Sequence, residues 1–108
     1  MSLVFACLAA AAVDGATIRC RNIQPADGQV RLAGIEAPAR GTPQGRRAQE
    51  LLNALLTGRI ECRQVDAMPA QDGFQETDAR GRMVARCSVA GRDLGELMLR
   101  AGQVTSVE

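Results

Sequence analysis

Arginines, carboxylates and four cysteines are the side chains that could do chemistry in this chain of 108 residues. All thirteen basic residues are arginine, twelve acids nearly cancel them, and no histidine occurs. A histidine-based triad or zinc site is therefore excluded. An arginine fork can hold two oxygens of a phosphate or carboxylate, and grouped carboxylates can hold a hard cation. These groups concentrate in residues 13–17 (Val-Asp-Gly-Ala-Thr), 31–39 (Arg-Leu-Ala-Gly-Ile-Glu-Ala-Pro-Ala) and 78–82 (Asp-Ala-Arg-Gly-Arg). A net charge of +1 gives no global footprint for nucleic acid, so attraction to phosphate must come from a local cluster of arginines. Trp and Tyr are absent, and only Phe5 and Phe74 could stack on a base.

Cys62 and Cys87 fall in two expected strands that flank a long polar stretch. If Asp66 faces Met83, antiparallel counting sets Cys62 opposite Cys87, which permits a cross-strand bridge. Cys7 and Cys20 also fall on adjacent strands. A two-residue turn at Asp14 and Gly15 sets Cys7 opposite Asn22, however, so this pair requires a bulge or a diagonal contact. Four cysteines with no Cys-x-x-Cys spacing favour disulfides over a metal centre, and with them an exported protein, periplasmic or secreted. Four buried free thiols are the alternative.

The elements that must position these groups follow from hydrophobic pattern and turn chemistry. Residues 4–13, 17–22 and 29–35 read as strands joined at Asp14-Gly15 and Asp27-Gly28, both good hairpin signals. Residues 3–12 are apolar but lack a basic leader and are too short to span a bilayer, so they read as a strand and not as a secretion signal or membrane anchor. Thr42 and Pro43 can cap and open a helix that carries Ala48, Leu51, Leu52 and Leu55 on one face and stops before Gly58. Residues 60–65 and 83–90 read as strands, separated by one mobile polar loop over 67–82. Asp93 and Glu96 then open a second helix with Leu94, Leu97, Met98 and Ala101 in a stripe ending at Gly102. No linker or repeat interrupts the chain, so residues 1–108 form one expected domain, mainly β within the α+β class.

The segments at 13–17, 31–39 and 78–82 together resemble the staphylococcal nuclease (thermonuclease) family. There they usually read Val-Asp-Gly-Asp-Thr, end in Asp-Ala-Pro-Glu, and carry an arginine after a glycine. The resemblance runs from about Phe5 to Gly102 and includes Gly-Arg-Asp-Leu-Gly-Glu at 91–96. Periodicity alone leaves other α+β folds open; the resemblance selects a five-stranded OB-type barrel with two or three helices packed outside.

The resemblance also implies a site. Arg31 and Arg82 take the positions of two phosphate-binding arginines. Glu36 stands at a calcium-binding aspartate, longer by one methylene, and Ala37 at a position that contributes a backbone carbonyl. Ala16 stands where another calcium-binding aspartate is expected, and Ala39 where a glutamate activates water. Ala79 and Arg80 replace a lysine and a tyrosine, and Arg40 lies nearby in the chain. A methyl group neither ligates calcium nor accepts a proton, and losing a positioned base alone costs roughly 10²- to 10⁴-fold.

On these residues the chain reads as a nuclease-like domain, inactive or strongly impaired, without a cofactor. Its ligand is an anion such as phosphate, nucleotide or nucleic acid, or else a protein partner. A weak calcium-dependent nuclease using Glu36 and a loop carboxylate is the alternative. A third reading comes from bacterial relatives named as succinoglycan (exopolysaccharide) biosynthesis proteins. Simpler roles compete at each position: Asp14 and Gly15 as turn formers, Arg31 paired with Glu36, Arg46 and Arg47 as a solvated helix face, and Asp66, Asp72, Glu76 and Asp78 as solvated loop acids.

Overall fold

The computed structural model describes residues 3–107; Met1, Ser2 and Glu108 of the expected domain lie outside the described residues. The strand expected over 4–13 is two strands, β1 (Val4–Cys7) and β2 (Ala11–Asp14). The chain breaks at a corner where Ala9 takes φ 52°, and Asn22 fastens that corner. The Asn22 side chain accepts from the Leu8 N–H at 3.0 Å and donates to the Ala6 carbonyl at 2.8 Å, while the Arg21 N–H donates to the Leu8 carbonyl at 2.8 Å. The break lets each piece find its own neighbour. β3 (Thr17–Arg19) pairs with β2, and β6 (Ile60–Gln64) pairs with β1.

The strand expected over 17–22 stops at Arg19, and the hairpin expected at Asp27-Gly28 is a longer excursion over 20–28. Its end, Pro25–Gly28, is a tight turn in which Ala26, Asp27 and Gly28 all take left-handed φ values. β4 (Gln29–Leu32) then pairs with β3, and Gly34 separates it from β5 (Ile35–Glu36), so the strand expected over 29–35 is also divided. β7 (Met83–Val89) runs parallel to β4 and antiparallel to β6. Two more short strands complete the set: β8 (Arg92–Asp93) on β7, and β9 (Thr105–Ser106) on β5.

The main sheet has the order β1-β6-β7-β4-β3-β2, with β8 paired to β7. Its two edges are thus the two pieces of one broken strand, linked only by residues 8–10. Chain length alone holds Cys7 and Ala11 within ~15 Å, so the sheet has to curl on itself. The fold is α+β, mainly sheet, with two helices. α1 (Pro43–Leu55) starts where its cap residue predicts, since Thr42 Oγ1 accepts from the Gly45 N–H at 3.0 Å. α2 (Leu94–Arg100) starts the same way, with Asp93 Oδ2 accepting from the Glu96 N–H at 2.9 Å. α1 packs on β2 and α2 on β7. Between helices and sheet, Ile18, Val30, Leu32, Leu52, Leu94 and Met98 are almost fully buried. Each such side chain contributes about 1.5–3 kcal/mol of transfer free energy.

Both cysteine pairs are bridged. Cys62 and Cys87 face each other in the register that counting from Asp66 and Met83 predicts, with Cα atoms 4.0 Å apart. Cys7 joins Cys20, Cα atoms 5.0 Å apart, across the corner at Leu8–Ala9, so the chain does not follow the simple two-residue hairpin that sets Cys7 opposite Asn22. Among the described residues no cysteine is free. Such bridges persist in oxidising surroundings and point to an oxidising compartment. Among the described residues no helix is long and apolar enough to cross a membrane.

Candidate functional site

Four segments meet around a cavity of about 440 Å³: the β2–β3 turn, the stretch after β5, and the ends of β4 and of the 66–82 loop. Of the expected site positions all but Ala79 line it. Ala16 and Ala39 present methyl groups, Glu36 and Asp14 carboxylates, and Arg31, Arg40, Arg80 and Arg82 guanidinium groups. The folded chain thus gathers the three segments that concentrate the chemical groups in sequence.

Packing against α1 sets this geometry. Gly15 lies so close to the helix that a Cβ there would sit 2.6 Å from Ala48 Cβ and 3.1 Å from Ala37 Cβ. A Cβ on Gly45, in the first turn of α1, would run into the Ala39 carbonyl oxygen. Thr42 ties the same region, its hydroxyl donating to the Ala39 carbonyl at 2.7 Å while it caps the helix. The helix start therefore holds the backbone around Ala16, Ala37 and Ala39 in place. Sequence reading identifies Thr42 as a cap but misses this second bond, and nothing in the local pattern around Gly45 signals its contact with Ala39.

Asp14 is a turn former: its Oδ1 accepts from the Ala16 N–H at 2.8 Å. Ala16 is 4% exposed, so its methyl lies in the wall of the cavity with no donor or acceptor beyond the backbone. Arg31 donates from Nη1 to the Leu32 carbonyl at 2.8 Å, and among the described residues it forms no ion pair with Glu36. The simple Arg31–Glu36 pairing is therefore not what the fold makes.

Asp78 and Asp66 also depart from the reading of solvated loop acids. Asp78 Oδ1 accepts from the backbone N–H groups of Arg80 and Arg82, and its Oδ2 pairs with Arg82 Nε at 2.9 Å. The two side chains are only 15% and 14% exposed. Burial pushes the Asp78 carboxyl up. The two backbone N–H bonds and the charge of Arg82 outweigh it and hold the carboxyl below the ordinary aspartate range. The pair uses only Nε of Arg82, and its terminal nitrogens remain for the cavity it lines. Asp66 Oδ1 accepts from the N–H groups of Met68 and Gln75, and the Ala67 N–H donates to the Gln75 carbonyl, so the loop read as mobile is fastened at its base. Asp72 and Glu76 are exposed, as expected. The Asp-x-x-x-Arg spacing of Asp78 and Arg82 was the available signal for their contact.

A calcium ion does not fit this set of donors. One carboxylate oxygen of Asp14 already serves the turn, Ala16 and Ala39 offer nothing, and Glu36 is a lone exposed carboxylate. Among the described residues no three His, Cys, Asp or Glu side chains come together as a metal-holding group. The cavity is lined by four guanidinium groups and two carboxylates, and one of the four, Arg82, is paired with Asp78 behind it; this donor set suits an anion better than a cation. Compared with protein-family models and with curated proteins, the chain matches none.

Proposed function

We propose that this chain is an exported domain of the staphylococcal nuclease type that has lost phosphodiester hydrolysis and binds an anionic group in its arginine-lined cavity. The carrying observation is the composition of that cavity, where Ala16 and Ala39 stand among Arg31, Arg40, Arg80 and Arg82. The sheet order supports the fold assignment. An OB-type barrel closes when its first strand pairs at both ends of the sheet, and here β1 and β2 take those two places. The parallel pairing of β4 with β7 fits the same closure.

Without a positioned base or a full set of cation ligands, the remaining arginines act as binders. Arg31 and Arg82 are held by the Leu32 carbonyl and by Asp78, which limits the side-chain entropy lost when they take up an anion. The possible bound species share a tetrahedral, multiply charged group, as in phosphate, a nucleotide or a nucleic-acid terminus.

Two assays test the proposal. In single-stranded DNA and RNA cleavage with and without calcium, the native protein is expected to be inert and the Ala16→Asp, Ala39→Glu double variant to cut with calcium. Cleavage by the native protein would instead establish a weak calcium-dependent nuclease. In thermal unfolding, phosphate and sulfate should raise the Tm of the native protein and leave Arg31→Gln unmoved. A Tm insensitive to both anions and to nucleotide would sink the anion-site reading.

A further inference from the structure

The outward face of the sheet beside the cavity carries charges that the fold leaves unmatched. On β6 the burial alternates, with Ile60, Cys62 and Gln64 inward and Arg63 outward. On β7, Cys87 and Ala85 point inward and Arg86 outward. Arg63 and Arg86 are direct cross-strand partners, so two guanidinium groups share one rung of the ladder. Like charges in that position destabilise a sheet. Among the described residues neither forms an ion pair or a side-chain hydrogen bond, and both are exposed.

One member of this pair, Arg86, connects to the arginine cavity. A second groove of about 590 Å³ lies over β4 and β7, and its lining includes both Arg31 and Arg86. Arg31 also lines the first cavity and joins the two. From β4 across β7 to β6 is two interstrand steps, roughly 10 Å. Two acids line the groove with these arginines, and each is engaged: Asp78 with Arg82, and Asp66 with two backbone N–H groups; on the neighbouring strand Glu61 pairs with Arg59. Between the rims the groove floor and wall are aliphatic, with Val65, Val84 and Val107, and no aromatic ring lines it. The face therefore offers charge and no stacking platform.

We propose that the outer face of β4, β7 and β6 extends the cavity into a track for a linear polyanion without bases, of the inorganic polyphosphate class. The inference rests on the anion-binding reading of the cavity for the anchored end and on Arg86 and Arg63 for the rest of the chain. Guanidinium groups read phosphate by charge and paired hydrogen bonds alone, which a chain of repeated phosphates satisfies at each step.

The experiment is titration of the native protein and of an Arg63→Gln, Arg86→Gln double variant with orthophosphate, tripolyphosphate, long-chain polyphosphate and single-stranded DNA. For the native protein, long-chain polyphosphate should bind at least tenfold tighter than tripolyphosphate. The double variant should lose that gain, bind orthophosphate as the native protein does, and melt no lower than the native protein, since it relieves a like-charge rung. Its affinity for long chains should also fall less steeply with salt. Equal affinity for tripolyphosphate and long chains overturns the track, as does a double variant that keeps the long-chain gain. Single-stranded DNA binding as tightly as polyphosphate overturns the choice of a polyanion without bases. Long-chain binding that depends on Arg63 and Arg86 while orthophosphate fails to bind supports the track and retires the cavity reading alone.

Discussion

The inner side of the curled sheet and the rim of the cavity are built by different forces. The inner side is closed by apolar burial and by two covalent bridges: Ile18, Leu32, Leu52 and Met98 have almost no exposed surface, and both disulfides lie among them. The rim is held by a few side-chain bonds: Thr42 donates to the Ala39 carbonyl, Asp14 accepts from the Ala16 N–H, and Asp78 accepts from the N–H groups of Arg80 and Arg82 and pairs with the Arg82 side chain. A frame of the first kind tolerates loss of rim side chains, because hydrophobic burial does not depend on them. Arg31 and Arg82 are placed by the Leu32 carbonyl and by Asp78, bonds in which the side chains at positions 16 and 39 take no part.

Breaking the frame should have the largest effect. Replacing Cys62 and Cys87 by alanine frees the unfolded chain of a 25-residue closure and should cost about 3 kcal/mol. For a domain of this size the fall in Tm is roughly 10–20 °C. Calorimetry reads it directly, and a shift of only a degree or two would mean that the bridge adds little to what packing already secures. Gly15→Ala comes next because it strikes both regions. The new methyl overlaps Ala48 and crowds Ala37, so roughly 1–3 kcal/mol should be lost and anion binding should weaken with it. A variant that lost stability but bound phosphate as before would separate the helix from the positioning of the cavity.

Asp78→Asn acts on the rim alone. Loss of the charge facing Arg82 should cost about 1–2 kcal/mol at neutral pH. The folded Asp78 has a lowered pKa, so its contribution is present in full above the unfolded aspartate value near ~3.9 and disappears as pH falls through the lower folded value. Urea melts at several pH values should therefore bring native and variant together at strongly acid pH. A gap that stayed constant down to that range would assign the loss to packing. Smallest in stability is Arg31→Gln, expected to cost about 0.5–1 kcal/mol, since it removes one part-buried side-chain hydrogen bond and no ion pair.

The sequence was legible where local chemistry and packing agreed. Thr42, Pro43 and the Ala48–Leu52 spacing locate α1; Asp93 and Glu96 locate α2; and strand counting finds the Cys62–Cys87 rung. It was illegible where partners come from far along the chain. The corner at Ala9 is a non-glycine residue at positive φ, fastened by Asn22, and alternation of apolar residues carries no mark of it. The two-residue ladder of β5 and β9 is too short to have a period. Asp66 and Asp78 read as solvated because their partners are backbone N–H groups, which every sequence possesses and none advertises. At the site, the three arginine- and acid-bearing segments were visible. That Arg82 would be clamped by Asp78, and Arg63 set beside Arg86, required the fold.

The order of strands also governs how the chain can acquire this structure. β1 waits for β6 and β4 for β7, so the N-terminal half cannot complete its hydrogen bonding until the last third of the chain is present. β2, β3 and β4, with the Cys7–Cys20 bridge beside them, can assemble from neighbouring sequence, as can the short β7–β8 pairing. Such distant pairings slow the search for the native state, and the apolar strands β1 and β7 stay exposed meanwhile. A chain of this topology delivered unfolded into an oxidising space gains from early closure of the Cys7–Cys20 loop. That closure joins the end of β1 to the residue just after β3 while the rest of the chain is still arriving.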